Sequence, residues 1–134
     1  QRGGALGGDV PRDARFGMIL SYLDMTMTEE GARLAAATDL TRQQRLEVEA
    51  TILDQRAVRA FHNGNYAQSV AYLNALEQLS GSLRRDLAML RGYAYFNGGQ
   101  RDLALAEFTR LNDALSTQET RSAIQSLSSV PSGG

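Results

Sequence analysis

Phe61-His62-Asn63-Gly64-Asn65-Tyr66 returns 35 residues later as Phe96-Asn97-Gly98-Gly99-Gln100-Arg101. Small and apolar residues trail both copies: Ala71, Leu73 and Leu76 after the first, Ala106, Phe108 and Leu111 after the second. Two segments of one pattern at a fixed offset predict stacked supersecondary units in place of one closed globule. Units of that kind build binding surfaces more often than catalytic centres.

Outward from this echo, helical spacing dominates and strand-like alternation is scarce. The two prolines, Pro11 and Pro131, lie outside the body, so no proline breaks its interior. A first helix is expected to start after Asp9, with Phe16, Ile19, Leu20 and Leu23 as its apolar stripe. After a break at Met25–Thr28, Thr28 is the expected cap of a short second helix whose first turn holds Glu29 and Glu30. Leu34, Ala35 and Ala37 form its buried face, and Gly31 weakens it. Thr41-Arg42-Gln43-Gln44 reads as a capping box that opens the longest helix, carried by Leu46, Ala50, Leu53, Ala57, Ala60 and Phe61. Gly64 is its expected left-handed terminator. A fourth helix carries Tyr66, Val70, Leu73 and Leu76. A fifth, capped by Ser82, carries Leu83, Leu87, Leu90 and Ala94 and closes at Asn97-Gly98-Gly99. A sixth carries Leu103, Ala104, Phe108 and Leu111. Ser116-Thr117-Gln118-Glu119 reads as a second capping box, opening a seventh helix to about Leu127 that covers the end of the stack.

The expected fold class is therefore all-α, with about seven helices in antiparallel pairs. One helical domain is expected over residues 13–127, flanked by flexible segments at 1–12 and 128–134, both rich in glycine or serine. Either end fits a linker or a cut from a longer protein, and the first fits a remnant of signal removal.

Composition narrows the function classes. The 134 residues, 43% of them hydrophobic, fit one domain with a continuous core. Fourteen basic residues face fifteen acidic ones, a balance that favours neither nucleic acid nor an anionic membrane. No run approaches the roughly 20 apolar residues of a span, so no direct membrane insertion is expected. Cysteine is absent, which excludes disulfides, thiolate catalysis and thiolate metal ligands. Lysine is absent too: every basic residue is arginine. Codon bias in a GC-rich bacterial genome accounts for this, with a demand for arginine forks as the other reading. Either way, Schiff-base and phosphate-loop lysines are excluded.

The second copy resembles a tetratricopeptide repeat, a helix-turn-helix unit of 34 residues. Gly92 and Tyr95 stand three apart on its first helix, Gly99 sits in the turn, and Ala104 and Phe108 follow on the second helix. Gly92 and Ala104 lack bulk and let the helices approach, while Tyr95 and Phe108 fill the space beside them. In the first copy Ala57, Ala60, Ser69 and Leu73 occupy the positions of Gly92, Tyr95, Ala104 and Phe108. The offset of 35 departs by one residue from the family period. The resemblance covers about Glu47 to Leu115 and implies a TPR-like α-solenoid.

The resemblance also implies that the first helix of each pair lines a concave groove. By position the first copy supplies Thr51, Asp54, Val58, Phe61 and His62, and the second Asp86, Met89, Tyr93, Phe96 and Asn97. Such a groove suits a protein or peptide ligand with apolar anchors and a basic residue. Phe61 and Phe96 fit an inter-repeat core equally well. Repeats of this family that hold a chaperone's terminal carboxylate use lysine and asparagine on first helices. The missing lysine and the presence of Asp54 and Asp86 argue against that ligand.

No catalytic, cofactor-binding or metal-binding residues emerge. His62 is the sole histidine and fits a helix C-terminus. Glu29-Glu30, Glu47-Glu49 and Asp102-Glu107 read as helix-start charges or solvated faces. Arg84-Arg85 at a helix start opposes the dipole and points to an acidic partner. Met25-Thr26-Met27 with Met18 reads as core filling or as a plastic apolar contact. The expected function is a non-catalytic interaction scaffold or adaptor, bacterial, in an envelope export or secretion system such as polysaccharide secretion, with the periplasm favoured over the cytoplasm. The alternatives are a small cytoplasmic repeat chaperone of a secretion apparatus and a homo-oligomerising module whose N-terminal hairpin forms a homodimer face.

Overall fold

The computed structural model describes residues 11–129. Among them the chain is all-α, with seven helices and no strand. They are α1 (Arg12–Asp24), α2 (Thr28–Ala36), α3 (Arg42–His62), α4 (Tyr66–Ser80), α5 (Arg85–Asn97), α6 (Arg101–Ala114) and α7 (Gln118–Ser129). The expected start after Asp9 falls outside the described residues, as do most of the two segments expected to be flexible. Helix α1 already begins at Arg12, and α7 runs past Leu127 to Ser129.

The chain divides into two compact units, Gln1–Gln55 and Arg56–Gly134, with the division inside α3. The physical reason is that each unit gathers its own buried cluster. In the first, Ile19 and Leu23 of α1 meet Ala35 of α2, Leu40, and Val48 and Ile52 of α3. Gly31, which lowers the intrinsic helicity of α2, is buried there: a Cβ at this position would lie 2.9 Å from Leu23 Cδ2. Gln55 fastens this unit. Its Nε2 donates to the Leu23 carbonyl at 2.7 Å, and its Oε1 accepts from the Thr28 hydroxyl.

In the second unit, the end of α3 and helices α4 to α7 pack in sequence, α4 on α5, α5 on α6, α6 on α7. The Ser69 hydroxyl of α4 is buried and donates to the Ala57 carbonyl of α3 at 2.9 Å. Phe108 is fully buried at the α5–α6 contact. A Cβ on Gly92 would come within 2.7 Å of its ring, so glycine there sets how closely the two helices lie. Ala88, Met89, Ala104, Leu111 and Leu127 complete this core.

Capping follows the sequence at one end and departs from it at others. Thr41 and Gln44 form the expected box: Gln44 N–H donates to Thr41 Oγ1 at 3.1 Å, and Thr41 N–H to Gln44 Oε1 at 3.0 Å. Gly64 is left-handed, with φ +79°. Thr28 does not cap α2; Met27 holds that position, and the Thr28 hydroxyl is drawn across to Gln55. Ser82 does not cap α5, which starts at Arg85 behind Arg84 with no side-chain cap. The box before α7 is shifted by one residue. Thr120 N–H donates to Thr117 Oγ1 and Thr117 N–H to Thr120 Oγ1, which leaves Glu119 free to bond elsewhere. At the end of α5, Gly99 takes the left-handed conformation at φ +83°.

Candidate protein-binding surface

The residues expected to line a groove divide by environment. In the first unit, Asp54 is half-buried on α3. In the second unit Val58 and Phe61 are half-buried and His62 is exposed. The Phe61 ring meets Tyr66 edge-on at 5.4 Å and His62 at 6.0 Å. Asp86 is exposed but engaged by Arg84, whose Nε and Nη2 donate to its two oxygens at 3.0 and 3.1 Å. That bond holds the Asp86 carboxyl below the usual aspartate range. Arg84 is thus matched within the chain. Arg85 is also matched, since its fork donates to the Leu111 and Leu115 carbonyls at 3.0 and 2.7 Å. Both arginines of this pair thus have acceptors within the chain.

Met89 lies in the core, buried with Phe108, and offers nothing to a ligand. Tyr93 is anchored at both ends. Its ring stands edge-on to Phe108 at 5.0 Å, and its hydroxyl donates to Glu119 Oε2 at 2.9 Å. Burial, then the bond to Glu119, push its phenol up to about 12. Phe96 is the accessible aromatic on α5, 41% exposed, and Asn97 beside it is exposed.

A cleft of about 210 Å³ opens beside this end of α5, lined by Tyr66, Ala67 and Val70 of α4, Ala94 and Tyr95 of α5, Gly98 and Gln100. Its lining sets two aromatic residues among small ones, Ala67, Ala94 and Gly98. A shallower depression runs on from it over Gly64, Asn65 and Gln68. Gly64 and Asn65 of the first echoed loop and Gly98 of the second take part in this surface. The sequence marked those loops as repeat punctuation and did not mark the space between them.

Sequence reading also missed a buried ionic cluster joining α4, α5 and α6. Arg91 is 5% exposed. Its Nη1 donates to Asn74 Oδ1 at 2.8 Å and to Glu77 Oε1 at 2.9 Å, and its Nη2 to Glu107 Oε2 at 3.2 Å. Glu107, expected on a solvated face, is 6% exposed and also meets Arg110 Nη2 at 2.6 Å. The bond from Arg91 holds the Glu77 carboxyl below the usual glutamate range. Burial alone acts to weaken the Arg91 guanidinium, but Glu77 and Glu107 together outweigh it and leave the group more basic than free arginine. The available signal was an arginine on the same stripe as Leu87 and Ala94, where only a paired charge is tolerated. Arg91 Nε has no hydrogen-bond partner, and the cluster is not among the residues that line the cleft.

Among the described residues, no three His, Asp or Glu side chains are grouped to hold a metal ion. No helix among them is long and apolar enough to cross a membrane. The surface presents an exposed aromatic, Phe96, and a cleft lined by Tyr66 and Tyr95 with small and polar neighbours. No family model, no curated protein and no solved structure matches the chain.

Proposed function

We propose that this chain is a non-catalytic helical-repeat module that binds another protein through the open end of α4 and α5. One observation carries the reading. The last turn of α5 leaves apolar groups open on two faces: one forms the cleft with Tyr66 and Val70 through Ala94 and Tyr95, and the other carries Phe96, 41% exposed. A preformed apolar cleft suits an apolar anchor of a peptide ligand, and the exposed ring on the same turn offers a second apolar contact. The cleft's uncharged polar rim of Asn65, Gln68 and Gln100 suits peptide backbone. The composition, with no cysteine, no lysine and a single exposed histidine, supports a binding role over a chemical one.

The finer placement rests on the resemblance of the second copy to tetratricopeptide repeats. On that basis we place the module in bacterial envelope export or secretion, in the periplasm, with a cytoplasmic secretion chaperone as the alternative. Cell fractionation with a tagged chain separates the two compartments.

Phe96→Ala and Ala67→Glu test the binding site directly. The first removes the exposed ring. The second fills the cleft from an exposed position while keeping a charge that suits a helix start. Both are expected to unfold as the parent chain does and to lose the partner in affinity capture. Folded variants that each retain every captured partner rule the site out. Tyr93→Ala is a poor probe, because Tyr93 packs on Phe108 and truncation damages the fold.

A further inference from the structure

The cleft between α4 and α5 has spare hydrogen-bond donors, while backbone acceptors in its lining are already engaged. Tyr66 and Tyr95 are half-buried and Gln100 is exposed. Among the described residues, none of these three side chains has a hydrogen-bond partner within the chain. Each can donate, through a phenol O–H or an amide NH₂. The Ala94 carbonyl accepts from Gly98 N–H at 2.9 Å, and the Tyr95 carbonyl from Gln100 N–H at 2.7 Å. A ligand backbone at this place therefore finds donors for its carbonyls and few free acceptors for its N–H groups.

That asymmetry discriminates among peptide conformations. A helical ligand has its carbonyls satisfied internally, except in its last turn. A strand ligand brings an N–H with nearly every carbonyl, and each one left unmet is costly. Proline keeps the carbonyl and lacks the N–H. In a polyproline II segment the carbonyls stay unpaired and open to an outside donor.

We infer that the partner presents a proline-rich, uncharged, extended segment to this cleft, with one proline ring seated beside Tyr66 and Tyr95. The inference rests on the reading of the cleft as the protein-binding site. Size agrees with it. At about 210 Å³ the cleft is smaller than a pocket for a drug-sized ligand and takes one compact ring. The flanking chain runs along the shallower depression over Gly64, Asn65 and Gln68. Charge agrees as well, since no charged residue lines the cleft or the depression. A polyproline II segment is extended before it binds, so little ordering entropy opposes docking.

The test uses the full chain labelled with ¹⁵N and a blocked peptide of three Pro-Pro-Ala units. Amide shifts on titration are expected at Ala67, Gly98 and Gln100. A blocked all-alanine peptide of equal length is expected to bind at least about tenfold more weakly, lacking the ring and the preformed conformation. Tyr66→Phe and Tyr95→Phe keep the rings and remove one donor each. Each is expected to weaken the proline peptide about fivefold with unchanged helix content. No shift at the cleft, equal binding of the alanine peptide, or indifference to both phenylalanine variants overturns the inference. The wider reading is tested separately by Ala67→Glu in affinity capture. If the proline peptide fails while Ala67→Glu still loses the captured partner, the proline inference falls and the binding site stands. If the proline peptide binds at the cleft while Ala67→Glu retains every captured partner, the proline site stands and the wider reading falls.

Discussion

Arg91 decides more of the second unit than any other polar residue. Its guanidinium is buried against Glu107 and reaches Glu77 and Asn74. Removing one member of a buried pair leaves the other charged and desolvated. Arg91→Met is therefore expected to cost about 3–5 kcal/mol in urea denaturation. Arg91→Met combined with Glu107→Leu is expected to recover most of that loss, because no buried charge is left behind. A double variant no more stable than the single one contradicts this account. Gly92, the next residue, is set by shape. Its α hydrogens face the Phe108 ring, and Gly92→Ala is expected to cost about 1–3 kcal/mol through overpacking, measured by thermal melts. Gly17→Ala, whose added Cβ meets nothing within 4 Å, is expected to stabilise the fold by about 1 kcal/mol.

At the scale of elements, helix ends show where local sequence suffices. Thr41 and Gln44 satisfy each other within one turn, so neither needs a tertiary partner. Thr41→Ala is expected to cost about 1 kcal/mol. Ser82→Ala is expected to change stability by less than about 0.5 kcal/mol, since Ser82 is exposed and α5 starts beyond it. Denaturant midpoints for the two variants check the contrast. C-termini rely instead on distant arginines. Arg85 forks onto the Leu111 and Leu115 carbonyls near the end of α6, and Arg101 donates to the Leu127 carbonyl near the end of α7. Arg12 and Arg45 likewise donate to the Asp39 and Thr38 carbonyls after α2. A planar guanidinium can bond two acceptors at once, which an ammonium point charge does less well. Arginine forks thus have structural work in this lysine-free chain, whatever the origin of the bias.

Across the whole molecule, charge bounds the stable pH range from both sides. Glu77 is held below its ordinary value, so the folded state binds fewer protons than the unfolded state as acid is added. The stability it contributes is present above about pH 4.5 and is lost as pH falls through the lowered folded value. Tyr93 acts at the other side. Its phenol ionises near 10 when unfolded and at about 12 when folded, so its stabilisation is complete below pH 10 and is lost between 10 and 12. Thermal melts across pH are expected to show both declines. Tyr93→Phe is expected to flatten the alkaline one, and a profile unchanged by Tyr93→Phe contradicts the assignment.

The sequence by itself determined the helices, because spacing, capping box and left-handed glycines act within a few residues. It marked Gly92 and Ala104 as residues that let two helices approach, and the structure shows that the Phe108 ring is what Gly92 admits. It left open whether Phe61 and Phe96 were core or surface, because a stripe of apolar residues looks the same from either side, and it set Met89 and Tyr93 on the groove. Tertiary structure separated them by burial: Met89 and Tyr93 are taken up by Phe108 and Glu119, while Phe96 stays in solvent. It also decided that Glu107 is buried, that Thr28 serves Gln55, and that the chain has two cores. Each of those depends on which side chains meet across 14 or more residues of chain, information that local periodicity does not contain.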